Sequence, residues 1–98
     1  QPSTTRIAEG VACKTPNRDA LEHIREHALD IVTVSDDEAI DGVAELLRCT
    51  HQLAEGAGAL SWAALKKHRE AWQGKRVAVI LCGGNASTSL MREAIARL

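Results

Sequence analysis

The sequence predicts an α/β fold, a partial parallel sheet flanked by helices in three layers. Three observations carry this. Val77 to Leu81 is an uncharged, largely β-branched run bounded by Lys75-Arg76 and Gly83-Gly84, the pattern of a strand buried on both faces. Ile31 to Val34 is a shorter β-branched run of the same kind. Between and around them lie segments with apolar residues at helical spacing and recognisable caps, so helices and strands alternate. Two strands make a poor sheet by themselves, and the chain is therefore expected to form part of a larger one.

Taken in order, residues 1 to 14 show no clear period and read as loop or a short helical turn. Thr15 before Pro16 matches a cap with proline at the first helical position, and Leu21, Ile24 and Ala28 recur at helical spacing, predicting a first helix over about residues 16 to 28. After the Ile31 to Val34 run, Ser35-Asp36-Asp37-Glu38 forms a capping box. The second helix thus starts at Asp36, buries Ile40, Val43, Ala44 and Leu47, and runs to about Leu53. The stretch "AEGAGAL" then reads as a break, followed by a third helix with Leu60 and Ala64 inside and Lys66 to Arg69 at its negative end. Beyond the Val77 to Leu81 run, Ser87 or Thr88 caps a fourth helix with Met91, Ala94, Ile95 and Leu98 on one face.

A chain of 98 residues supports one small domain with a modest core. Hydrophobic residues make up 45%, yet Trp62 and Trp72 are the only aromatics, so the core must be aliphatic. The formal net charge of -1 argues against nucleic acid or a membrane surface as a partner. Residues 1 to 56 carry 5 basic and 11 acidic side chains and residues 57 to 98 carry 7 and 2, a segregation that helix-end placement largely explains. Cys13, Cys49 and Cys82 are odd in number and widely spaced, which fits reduced thiols in a cytoplasm better than a disulfide framework or a zinc site. No apolar run approaches a membrane span, and no signal peptide is recognisable. A start at Gln1 rather than Met points to a piece of a longer protein.

Two glycine-rich junctions stand out, Glu55-Gly56-Ala57-Gly58-Ala59 and Cys82-Gly83-Gly84-Asn85. In open α/β folds, ligands collect at the carboxyl ends of strands, where glycine lets backbone approach a ligand closely. Glycine pairs at strand ends are most often only tight turns. Neither Walker spacing nor GxGxxG is present, so a phosphate site gains little support.

The ordered blocks "TTRIAEGVA", "DIVTVSDDEAIDGVAELL", "LAEGAGALSWAAL" and "GKRVAVILCGGN" resemble the last part of the catalytic domain of threonine and serine dehydratases. These are pyridoxal-phosphate enzymes of the tryptophan synthase β-type fold, fold type II, and the resemblance covers about residues 4 to 87 in natural order. It implies that residues 1 to 98 are an incomplete, C-terminal portion of that domain. The family's cofactor-bonding lysine and its phosphate loop lie upstream of these blocks, and Lys14, Lys66, Lys67 and Lys75 match neither. No catalytic residue is therefore assigned within the chain.

The resemblance further implies that Cys82 faces the pyridine nitrogen of pyridoxal 5'-phosphate, where many relatives have serine. A thiol is a neutral, weak partner for that nitrogen, which suits elimination. A small buried apolar thiol is the plainer reading of the same residue. Gly83 and Gly84 would let backbone pass close to the ring, Asn85 would fasten the turn, and Glu55 would lie near the same edge of the cofactor, although a helix-end charge explains Glu55 as well. Backbone carbonyls of Val11 and Cys13 match half of a site for a monovalent or divalent cation. His23, His27, His51 and His68 match no catalytic position.

The implied activity is conversion of L-threonine or L-serine to a 2-oxo acid and ammonia. The implied partners are the rest of the parent chain, a small amino-acid substrate and further copies of the enzyme. A related hydroxy-amino-acid dehydratase or a serine racemase is the close alternative. From another class, a non-catalytic remnant binding through an exposed sheet edge is consistent with the same residues.

Overall fold

The computed structural model describes residues 4–98 and places four α-helices among them, so the part of the opening segment before Thr4 lies outside the described residues. Helix α1 spans Arg18–His27, α2 Asp36–Thr50, α3 Gly56–Lys67 and α4 Thr88–Ala96, with 3-10 turns at Glu9–Val11 and Arg69–Trp72. The first of these turns is the short helical turn expected near the start of the chain.

Helix α2 is the hub, packing on both α3 and α4. Its start follows the capping box: the Ser35 hydroxyl accepts from the Glu38 amide at 3.1 Å, and the Glu38 carboxylate accepts from the Ser35 amide at 2.7 Å. Ile40, Val43 and Ala44 are buried as the spacing predicts, with Leu47 half-buried. The helix stops at Thr50 instead of Leu53, because His51 turns into the left-handed region at φ 61°.

Helix α1 begins at Arg18 rather than at Pro16. Asn17 is its cap, accepting from the Ala20 amide at 3.1 Å, and an amide oxygen is a stronger cap than Thr15 two residues earlier. None of its residues is buried, so the Leu21, Ile24, Ala28 stripe lacks a core to face. Helix α4 is capped by Ser87, whose hydroxyl accepts from the Leu90 amide at 3.2 Å. It buries Leu90 and Ala94 and leaves Ile95 and Leu98 exposed, so only part of the expected face is used.

The largest departure concerns the sheet. Among the described residues no strand forms, and both Ile31 to Val34 and Val77 to Leu81 lie outside helix and strand alike. A strand is defined by a hydrogen-bonded neighbour, and neither run has one here. The two runs instead border one apolar groove of about 270 Å³ over α3, lined by Val32, Val77 and Val79 with Ser61, Ala64 and Leu65 of the helix beneath. Lys67 donates to the Thr33 carbonyl at 3.1 Å and Ser61 to the Ile80 carbonyl at 2.8 Å, which anchors each run to α3.

The "AEGAGAL" stretch is also corrected, since α3 starts at Gly56 and the glycines belong to its first turn. Helix propensity disfavours glycine there, but close packing requires it. A Cβ on Gly56 would overlap the Ile7 carbonyl, and one on Gly58 would sit 2.6 Å from the Gly83 carbonyl oxygen and 2.8 Å from that of Cys82.

The resulting body is flat, 39 × 36 × 19 Å, with a radius of gyration of 14.1 Å. A compact domain of this length has a radius near 13 Å (~2.2·N^0.38). Its core is thin: alanines dominate the buried apolar residues, and among the described residues only Ile40 and Val43 are large and fully buried.

Candidate functional site

Three segments converge at the amino end of α3: the stretch from Thr5 to Val11, Glu55, and the turn from Cys82 to Ser87. Glu55 is the cap residue of α3, but its side chain caps nothing. Its backbone amide donates to the Gly83 carbonyl at 3.2 Å, while its carboxylate lies directly against the Gly83 Cα. Gly83 has φ +100°, a conformation that side chains resist, so glycine is required here both for the backbone and for the space that Glu55 occupies. The Cys82 and Gly83 carbonyls rest on Gly58, and Gly84 lies near the Leu53 carbonyl, 3.0 Å from where its Cβ would be.

Glu55 and Asn85, with Arg6, Ile7, Glu9, Gly10, Ser87 and Leu90, surround a small polar cavity of about 70 Å³. Two of the expected site residues thus meet there. Gly83 contacts Glu55 from the side, and Cys82 and Gly84 are its exposed neighbours in the chain. Val11 ends the Glu9–Val11 turn that packs on α3, and its carbonyl accepts from the Cys13 amide at 3.0 Å. Cys13 follows two residues later with an exposed thiol.

Residues that the sequence left unmarked hold this arrangement. The Asp36 carboxylate accepts from the Thr5 hydroxyl and, at 2.9 Å, from the Arg6 amide. These hydrogen bonds, the Arg6 amide's foremost, hold the Asp36 carboxyl below its ordinary range. Thr5 in turn accepts from the Ala8 amide at 3.1 Å and the Ile7 amide at 3.3 Å. The Arg6 guanidinium forks onto Glu93 with two contacts of 3.0 Å, which lowers the Glu93 carboxyl and raises Arg6. Contacts between residues 30 and 87 positions apart have no periodic signature, so no spacing in the chain announces them.

Comparison with known proteins gives the family. A family profile described as "Pyridoxal-phosphate dependent enzyme" matches residues 1–83. The chain belongs to that family. The L-threonine ammonia-lyase of Thermotoga maritima is 32% identical over 85 residues, covering 87% of this chain and 21% of that protein. The L-threo-3-hydroxyaspartate ammonia-lyase of a Pseudomonas species is 33% identical over 79 residues, 81% of this chain and 25% of that protein. A serine racemase of Schizosaccharomyces pombe is 34% identical over 79 residues, 81% and 24%. The chain therefore spans about a fifth to a quarter of the length of the curated relatives it matches.

The family is one of type II α/β domains that use pyridoxal phosphate, although no strand forms among the described residues of this chain. The chemistry of the residues present is compatible with one wall for that group. The Cys82 to Asn85 turn is exposed, carries a thiol, two glycines and a neutral amide, and is pinned from behind by Glu55 and Gly58. The missing side chains face inward, Gly83 making room for the Glu55 carboxylate and Gly84 for the Leu53 carbonyl, so the two glycines let the turn seat closely on the start of α3. No helix among the described residues is long and apolar enough to cross a membrane.

Proposed function

We propose that these residues form the C-terminal portion of the catalytic domain of a pyridoxal-phosphate-dependent ammonia-lyase acting on L-threonine, L-serine or a closely related β-hydroxy amino acid. The observation that carries this reading is the exposed turn at Cys82 to Asn85, seated on Glu55 at the start of α3, in a chain of this family. Cys82, Gly83, Gly84, Asn85 and Glu55 would hold the cofactor's ring edge. Bound there, the cofactor supplies an electron sink that makes the substrate α proton removable. Cys82 would offer the ring nitrogen a neutral contact, while Gly83 and Gly84 let the turn seat on Glu55 and the Leu53 carbonyl, and the Glu55 amide fixes the turn through the Gly83 carbonyl. The carbonyls of Val11 and Cys13 would supply part of a cation site whose remaining ligands come from upstream.

The extent of exposed surface supports an incomplete domain. The chain exposes 7612 Å². A compact monomer of this mass exposes about 5,400 Å² by the usual scaling. Leu29 is 97% exposed, Ile80 76% and Ile31 70%, all within or beside the two runs expected to be strands. Upstream strands pairing with these runs would complete the parallel sheet and bury them. The full enzyme is read as a homo-oligomer of the cytoplasm, in keeping with three cysteines that are all free.

The test is formation of 2-oxo acid and ammonia from L-threonine and L-serine. Full-length protein carrying these residues, loaded with pyridoxal phosphate, should turn over, whereas residues 1–98 alone should not. Interconversion of serine enantiomers without elimination would assign it as a racemase. Failure of the full-length protein to bind the cofactor would leave a non-catalytic remnant.

A further inference from the structure

The Glu55 carboxylate fills the space left at Gly83, and the segment from Ile7 to Gly10 packs on the two residues that follow Glu55: a Cβ on Gly56 would overlap the Ile7 carbonyl, and one on Gly10 would lie 3.2 Å from the Ala57 methyl group and 4.0 Å from the Glu55 carboxylate. That segment has few buried residues of its own, Ala8 being the exception. Its position is set from outside by Asp36, through the Thr5 hydroxyl and Arg6 amide, and by the forked Arg6 to Glu93 pair.

We infer that Asp36, with Arg6 and Thr5, is a positioning residue: it clamps the Thr5 to Gly10 segment against the start of α3 and thereby fixes the Glu55 carboxylate beneath the Cys82-Gly83 turn. This deepens, and rests on, the reading of that turn as a cofactor wall. A carboxylate at the start of α2 would be explained as a helix-end charge, but that accounts for neither of its two contacts. Asp37, one residue on, is the natural control. It is also a first-turn carboxylate, yet its hydrogen bond and ion pair go to Arg97 at 2.8 Å, and it acts on Arg6 only through its charge.

The experiment uses full-length protein and has two arms. In cofactor-free protein, hydrogen exchange is followed at the Glu55 amide, which donates to Gly83. Asp36→Asn should accelerate exchange there by on the order of tenfold through local opening, and Asp37→Asn should not. In loaded enzyme, Asp36→Asn should lower kcat by about tenfold or more with KM changed less than about twofold, as misplacement of a site group does. The effect should vanish in a Glu55→Gln background, because Asp36 acts through Glu55.

Thr5→Val removes the hydroxyl half of the clamp while leaving the Arg6 amide contact and the charge at the helix start, and serves if Asp36→Asn misfolds; it should shift exchange and kcat in the same direction. Unchanged exchange at Glu55, equal acceleration by Asp37→Asn, or additive losses in the double variant would each overturn the inference. An enzyme without lyase or racemase activity would instead refute the proposed function, and the exchange arm would still decide the role of Asp36.

Discussion

At the scale of single residues, the glycines divide by what touches them. Gly56 and Gly58 are needed for helix-to-backbone packing, whereas Gly83 is needed for its backbone angle as well. Cys82 differs in that its proposed role is chemical. A serine there would keep the contact to the ring nitrogen neutral, so Cys82→Ser should retain elimination in full-length enzyme. Cys82→Asp should favour a protonated ring nitrogen by placing a carboxylate beside it. Product partition should then move away from 2-oxo acid towards transamination or racemisation. Product analysis together with the cofactor absorption spectrum checks this, after cofactor binding by each variant has been confirmed. Identical partition and spectrum in the aspartate variant would remove Cys82 from the site.

Among the elements, α2 carries the most structural responsibility. Its capping box starts the helix, its buried face supports α3 and α4, and its Glu38 and Glu45 reach across to Lys67 and Lys66 of α3 at 3.1 and 2.6 Å. Glu45 also accepts from the Trp62 indole at 2.9 Å, so one carboxylate joins α2 to two turns of α3. Ser35→Ala removes the hydroxyl half of the cap and should destabilise by about 1 kcal/mol. Ser35→Asp, which restores an acceptor, should recover most of that loss in urea unfolding. The residue at the far end, His51, tolerates its left-handed conformation because the chain must turn there to bring Leu53 and Ala54 under the core.

At the scale of the molecule, four carboxylates among the described residues have depressed pKa values and link separate segments. Asp36 is lowered first by the Arg6 amide and then by Thr5, Glu38 by the Ser35 amide and then Lys67, Glu45 by Lys66 and Trp62, and Glu93 by Arg6. A carboxyl whose folded pKa lies below its unfolded value contributes stability that is present in full above the unfolded value. That contribution is lost as pH falls through the folded value. The urea midpoint of protein carrying these residues should accordingly be level near neutrality and decline below about pH 4.5, where unfolded carboxyls begin to take up protons. Glu45→Gln should lower the midpoint at pH 7 and reduce the decline. A midpoint that rises on acidification would contradict this account.

What the sequence determined by itself is local. Ser35 and Ser87 mark two helix starts because a cap is a contact between residues three apart, and the Ile40, Val43, Ala44 stripe is visible because helical period is a property of neighbours. The family, too, was legible, since ordered blocks survive in a short chain. Other features depended on residues distant in sequence. Gly56 and Gly58 looked like a break because propensity disfavours them, and only the Ile7, Cys82 and Gly83 carbonyls packed against them explain a helix there. Thr15-Pro16 looked like a cap, but Asn17 lay closer to the first turn with a better acceptor. Ile31 to Val34 and Val77 to Leu81 have the composition of strands, yet a strand exists only when another backbone pairs with it, and no described residue supplies that pairing. The grip of Asp36 on Thr5 and Arg6 was likewise decided by tertiary structure alone, because folding brings together groups separated by about thirty positions and no pattern along the chain encodes that distance.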